Sequence, residues 1–215
     1  MTMRVGILGA GRMGSGLARC LALAGDEVFL GSRDAAKAQE LAASINREAG
    51  AERVRPASYA EAAAQGEVVI LAVPYREAAA TLTAHRDALQ GKVVVDITNP
   101  LGQTPTGVVT PPGSSGLEEN QRAAGPGIRL VGAFRNNFAD TLGQPNFAGP
   151  RADCWVFGDD AAAKQVVLEL ARRCGFDAVD VGPAAAARQV EQTVVLILAV
   201  RRSLGRRCAF KLLIE

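Results

Sequence analysis

The chain has 215 residues, 24 Lys plus Arg against 22 Asp plus Glu, and 48% hydrophobic residues. That suits one large domain with a buried core and is too short for two full ones. A formal charge of +2 excludes nucleic-acid recognition through bulk charge, so an anionic ligand must be met by local groups. The longest aliphatic stretch, Val194 to Val200, falls far short of the roughly 20 residues that cross a bilayer. Cys20, Cys154, Cys174 and Cys208 form no CxxC, so buried free thiols and no metal site are expected, in a soluble cytoplasmic protein.

In chain order, Arg4–Leu8 predicts a strand, Arg12–Ala24 a helix, Glu27–Leu30 a strand, and Ala35–Glu48 and Tyr59–Ala64 helices. Val68–Ala72 and Val93–Ile97 predict strands on either side of a helix at Arg76–Ala88. Asn99 to Gly127, with Pro100, Pro105, Pro111, Pro112 and Pro126, predicts an irregular surface loop. Then come strands at Arg129–Ala133, Cys154–Phe157 and Ala178–Val181, with a helix at Ala161–Arg173. A last helix runs from Ala184 to about Leu204; its centre is apolar nearly all round, which predicts burial against the sheet or a second subunit. Apolar runs without strict alternation fit strands covered on both faces. Gly25, Gly91 and Gly175 fall just past helices, where a left-handed cap is cheap.

The first strand runs into Gly9-Ala10-Gly11-Arg12-Met13-Gly14, a G-x-G-x-x-G between strand and helix. In that context it predicts a dinucleotide site. Gly9 permits the tight turn, Gly11 lets a pyrophosphate approach the backbone, and Gly14 lets the helix sit close to the strand. Helix amides then hold the phosphates without bulk positive charge. The fold class is α/β: a Rossmann-type doubly wound, mostly parallel sheet over residues 1–183, with a small helical extension over 184–215. At the second strand's end, Ser32 and Arg33 offer a hydroxyl and a guanidinium fork suited to a 2′-phosphate, which favours NADP over NAD. Asp34 reads as a helix cap, and Lys37 adds charge one turn along. Val73 and Pro74, and Asn99 and Pro100, end two further strands and should line the nicotinamide side of the crevice. No Tyr-x-x-x-Lys follows either tyrosine, and the single histidine, His85, falls in a predicted helix. The sequence therefore suits chemistry in which the protein orients two rings.

These residues resemble a family. Gly9–Gly14, Gly31-Ser32-Arg33, Ala72-Val73-Pro74 and the D-I-T-N-P-L of Asp96–Leu101 are similar to the NADPH-dependent coenzyme F420 reductases. So are Val156 to Asp160, Gly175-Phe176, Asp180 to Pro183, Ala187-Arg188 and Glu191. The resemblance implies NADP and coenzyme F420 as substrates, direct hydride exchange between nicotinamide and deazaflavin rings, and a homodimer. It also implies that Ser32 and Arg33 take the 2′-phosphate and that Pro74, Asn99 and Pro100 border the nicotinamide. One departure stands out: after the Arg129–Ala133 strand, relatives commonly read A-F-N-T or A-L-H-T, whereas this chain has Ala133-Phe134-Arg135-Asn136-Asn137. Arg135 should then face the second substrate, and with Asn99 it is a candidate near the hydride-transfer site. Two alternatives stay open: NADPH-dependent reduction of a small carbonyl or imine, and an NADP-binding redox sensor without turnover. The cytosolic half of the six-transmembrane metalloreductases is also similar. Arg201, Arg202, Arg206, Arg207 and Lys211 read as a solvated helix face rather than as a site for a polyanionic tail or nucleic acid.

Overall fold

The structure is a computed structural model, and it describes residues 2–102 and 107–213. A six-stranded parallel sheet has the order β3-β2-β1-β4-β5-β6. Its strands are β1 Arg4–Leu8, β2 Glu27–Gly31, β3 Val54–Ala57, β4 Val68–Leu71, β5 Val93–Asp96 and β6 Arg129–Gly132. Each is joined to the next by helix: α1 Arg12–Leu23, α2 Ala35–Ala49, α3 Tyr59–Gln65, α4 Tyr75–Ala84 with α5 Arg86–Leu89, and α6 Gly116–Ala124. β7 Asp153–Val156 and β8 Asp177–Asp180 flank α7 Ala161–Arg173 and pair with each other in parallel. An antiparallel bridge from Gly132 to Phe157 fastens this small sheet to β6. After a 3-10 turn at Ala184–Ala186, α8 Ala187–Leu204 ends the helical part.

The strand residues alternate between two cores. Val5, Ile7, Val28, Leu30, Val68, Ile70, Val93 and Val95 pack with α1, α2 and α7. Leu8, Phe29, Val69, Leu71, Val94 and Leu130 pack with α3, α4, α6 and the start of α8. Period-two geometry sends neighbours to opposite faces, and each buried aliphatic side chain contributes about 1.5–3 kcal/mol. The helix ends follow local chemistry. Asp34 accepts from the Lys37 amide at 3.0 Å, Ser58 and Glu61 form a reciprocal capping box, and Asp160 accepts from Ala163 at 2.8 Å. Gly25, Gly91 and Gly175 adopt φ of +89°, +73° and +87°.

Four elements differ from expectation. β3 was not expected, because Pro56 interrupts a short run; as the sheet's edge strand it tolerates a residue with no N–H to donate. α6 lies inside the stretch expected to be irregular, of which Pro105 falls outside the described residues. Its sequence is mostly polar, and it is set by Ser115, whose side chain accepts from the Glu118 amide at 3.2 Å. The helix expected at Arg76–Ala88 breaks at His85 into α4 and α5. α8 buries Val194 and Ile197 but leaves Leu196 and Val200 exposed, so its apolar centre is only partly covered. Among the described residues, no helix is long and apolar enough to cross a membrane, and no group of His, Cys, Asp or Glu is placed to hold a metal ion.

Candidate active site

The glycine turn gives its three glycines different surroundings. Gly9 has φ +126°, and a Cβ there would press on the Ala72 carbonyl. A Cβ on Gly14 would run into the carbonyl oxygen of Gly9. Gly11 faces open space, with nothing within 4 Å of a Cβ. It caps α1 without a side-chain hydrogen bond, so the first helical amides remain free to meet an anion. Ala10 is buried, Met13 half-buried and Arg12 exposed at the first helical position.

At the next strand tip, Ser32 Oγ accepts from the Asp34 amide at 3.0 Å. Arg33 is 73% exposed and pairs with Glu77 at 3.2 Å. Both border a cavity of about 420 Å3 whose far wall is Pro56, Ala57 and Ser58. Lys37 is exposed on α2 and is not among its walls. Burial raises the pKa of Tyr59, and the Arg33 guanidinium beside it pulls the other way.

A second cavity, of about 360 Å3, opens at the tips of β5 and β6. Arg12, Met13, Asn99 and Leu101 line one side; residues 137–140 line the other, with Val194, Leu198 and Arg201 of α8. Val73 and Pro100 are buried beside these tips, and Pro74 caps α4, but none of the three is a wall of this cavity. His85 packs edge-on against Tyr59 and borders neither cavity. Arg201 is held by both oxygens of Asp140 and lies 4.2 Å over the Phe138 ring. Arg207 donates to the Gln144 carbonyl, and Lys211 pairs with Asp153 and Asp177. Of the five basic residues expected to be solvated, only Arg202 and Arg206 are exposed with no side-chain contact of this kind among the described residues.

Arg135, expected to face the second substrate, lines neither cavity. Its side chain is fully buried. Phe134 takes a left-handed backbone, φ +55°, rare for a bulky residue, and Arg135 then folds back onto β5. Its Nε donates to the Asp96 carbonyl, one Nη to the Asp96 carboxylate at 2.6 Å, and the other to Glu191 of α8. Asp96 also accepts from Asn120 at 2.8 Å and from the Thr98 amide and hydroxyl. Glu191 accepts the Gly116 and Leu117 amides at the start of α6. The physical reason is charge balance: two buried carboxylates require a buried cation. Burial still pushes the Glu191 pKa up, with Arg135 opposing it.

Of two further side chains, Asn99 was expected beside the nicotinamide, whereas sequence reading assigned Asn137 no role. Asn137 is 5% exposed and donates to the Asp153 carbonyl at 2.9 Å, while Asn99 donates to the Arg135 carbonyl at 3.0 Å. In both, the amide oxygen is buried without a hydrogen-bond partner among the described residues. A polar residue directly after a departing motif was the available signal.

The family model described as NADP oxidoreductase coenzyme F420-dependent matches residues 4–100. An F420-dependent NADP reductase of Methanothermobacter marburgensis is 35% identical over 206 residues, covering 91% of each chain. A solved structure from Arthrobacter sp. FB24 superposes with a TM-score of 0.81 at 30% identity, over 94% of this chain and 95% of that one. The metalloreductase STEAP3 of Rattus norvegicus is 32% identical over 91% of this chain but only 37% of its own length. By its sheet order, its glycine turn and its end-to-end similarity to the first of these relatives, the chain belongs to the coenzyme F420-dependent NADP oxidoreductase family.

Proposed function

We propose that the chain transfers a hydride between NADPH and coenzyme F420, as the name of its Methanothermobacter relative states for that protein. The observation that carries this reading is the turn in which Gly9 and Gly14 are sterically closed and Gly11 is open: only the middle glycine leaves room for a pyrophosphate. Backbone amides from Ala10 to Met13 would take its charge, with Arg12 at the rim. Ser32 and Arg33, with Lys37 nearby, would take the 2′-phosphate, for which Arg33 exchanges its Glu77 partner. Val73, Pro74 and Pro100 would stiffen the strand tips around the nicotinamide, and Asn99 Oδ1 would accept from its carboxamide. When bound, NADPH supplies the hydride and the deazaflavin receives it. The protein's part is to hold two rings in contact and exclude water. The carbonyl or imine alternative drew on the Arg135 departure, and that guanidinium is buried against two carboxylates. Of the extension expected over 184–215, only 184–204 is helical among the described residues, and in this reading α8 walls the cleft, in a cytoplasmic homodimer that works on small-molecule substrates.

Mixing the protein with NADPH and oxidised F420 should bleach the deazaflavin absorbance band. Tight NADPH binding without bleaching contradicts the reading. Arg33→Ala should weaken NADPH about tenfold, the value of one charge-assisted hydrogen bond, and leave NADH almost unaffected in a fluorescence titration.

A further inference from the structure

The cleft beside α8 is lined by a residue with a buried polar atom that neither the fold nor the nucleotide accounts for. Asn137 is 5% exposed, and its Nδ2 is fixed by the Asp153 carbonyl at 2.9 Å. A carbonyl accepts only from a donor, so the orientation of the amide is settled by chemistry: Oδ1 must be the end left over. That oxygen is buried and unpartnered among the described residues, on a residue that lines the 360 Å3 cavity. Asn136 donates to the same Asp153 carbonyl at 2.8 Å and also accepts from the Trp155 amide at 3.1 Å. Asn136 thus completes its hydrogen bonds within the fold, whereas its neighbour does not. A buried carbonyl without a donor is unfavourable, and its presence in a cleft calls for an explanation.

The sheet order says which part of the crevice Asn137 borders. The glycine turn sits on β1, and Asn99 lies beyond β5, two strands over toward the β6 edge. Asn137 lies one strand further, beyond β6, on the wall shared with α8. A nucleotide laid from β1 toward β5 leaves that wall for the other reactant. An amide oxygen there repels a carboxylate or phosphate and accepts from an N–H or O–H donor.

We propose that Asn137 is a specificity-determining residue for the second substrate, its Oδ1 accepting the ring N–H that lies between two carbonyls in a deazaflavin's pyrimidinedione. The inference rests on the hydride-transfer reading and deepens it. The Asp153 carbonyl preorganises the acceptor, so it discriminates by what the ring carries at that nitrogen.

The test compares F420 with a deazaflavin acceptor methylated at that nitrogen, in wild type and in Asn137→Ala. Wild type should use the methylated ring at least tenfold less efficiently in kcat/KM. Asn137→Ala should raise KM for F420 about tenfold, change kcat and the NADPH Kd little, and lose the discrimination. Equal use of both rings by wild type overturns the proposal, and this arm needs no variant to fold. Retained discrimination in a folded Asn137→Ala overturns it too. No turnover of unmodified F420 by a protein that binds NADPH overturns the parent reading together with this one, and is distinguishable from turnover without discrimination.

Discussion

Three glycines within six positions answer to different physics. Gly14 is needed because backbone lies where a Cβ would go, whereas Gly11 is needed only if something else comes to fill the space it leaves. Gly14→Ala should therefore lower thermal stability markedly, by several kcal/mol if α1 must back away from β1. Gly11→Ala should melt close to wild type, losing at most about 1 kcal/mol, yet bind NADPH at least tenfold more weakly. Comparable NADPH affinity in a folded Gly11→Ala would contradict the pyrophosphate assignment. This turn was legible from sequence because its constraints act between near neighbours and along one strand-to-helix junction. Arg135 was not: its carboxylate partners lie 39 residues before it and 56 after. A one-letter departure from a motif says that a residue has changed, but not which way its side chain turns. The orientation of Asn137 was hidden for the same reason, since the carbonyl that fixes it belongs to β7.

At the level of elements, the Arg135 cluster ties β5, β6, α6 and α8 at one buried point. Arg135→Met removes the cation from two buried carboxylates and should destabilise the fold by about 3–5 kcal/mol at neutral pH. The deficit depends on pH. Arg135 foremost, with the Gly116 and Leu117 amides, opposes the burial-driven rise of the Glu191 pKa from its ordinary 4.5, so its loss raises that pKa further. A carboxyl raised in the fold contributes stability that is present below its unfolded value and lost as pH rises through its folded one. Denaturant titrations should therefore show a smaller deficit at pH 5 than at pH 8; an equal deficit at both would remove Glu191 from the account. Most elements were readable because the helices are long, Ala-rich and capped, and the strands are continuous apolar runs. β3 and α6 were hidden by composition: one has a proline in four residues, and the other has only Leu117 and Ala124 as buried apolar positions.

For the molecule as a whole, α8 sets Leu196, Val200 and Leu204 four residues apart, exposed at 58%, 38% and 55%. Such spacing lays them along one stripe, the surface that the proposed homodimer would cover. Light scattering behind a sizing column should report a dimer for wild type and a monomer for Leu196→Glu with Leu204→Glu; a monomeric wild type would contradict the assembly. The doubly wound order and its crevice were legible from the strand–helix rhythm, whereas the detached β7–β8 pair was not, because apolar runs do not say which neighbour they join. One contact also orders the molecule in time. The Gly116 amide is accepted by a carboxylate 75 residues later in the chain. A polypeptide leaving the ribosome can therefore pair its first strands and shape the glycine turn while α6 still lacks the acceptor for its first amides. The nucleotide half is buildable early, and the chamber where the two reactants meet is finished only as the last helix is released.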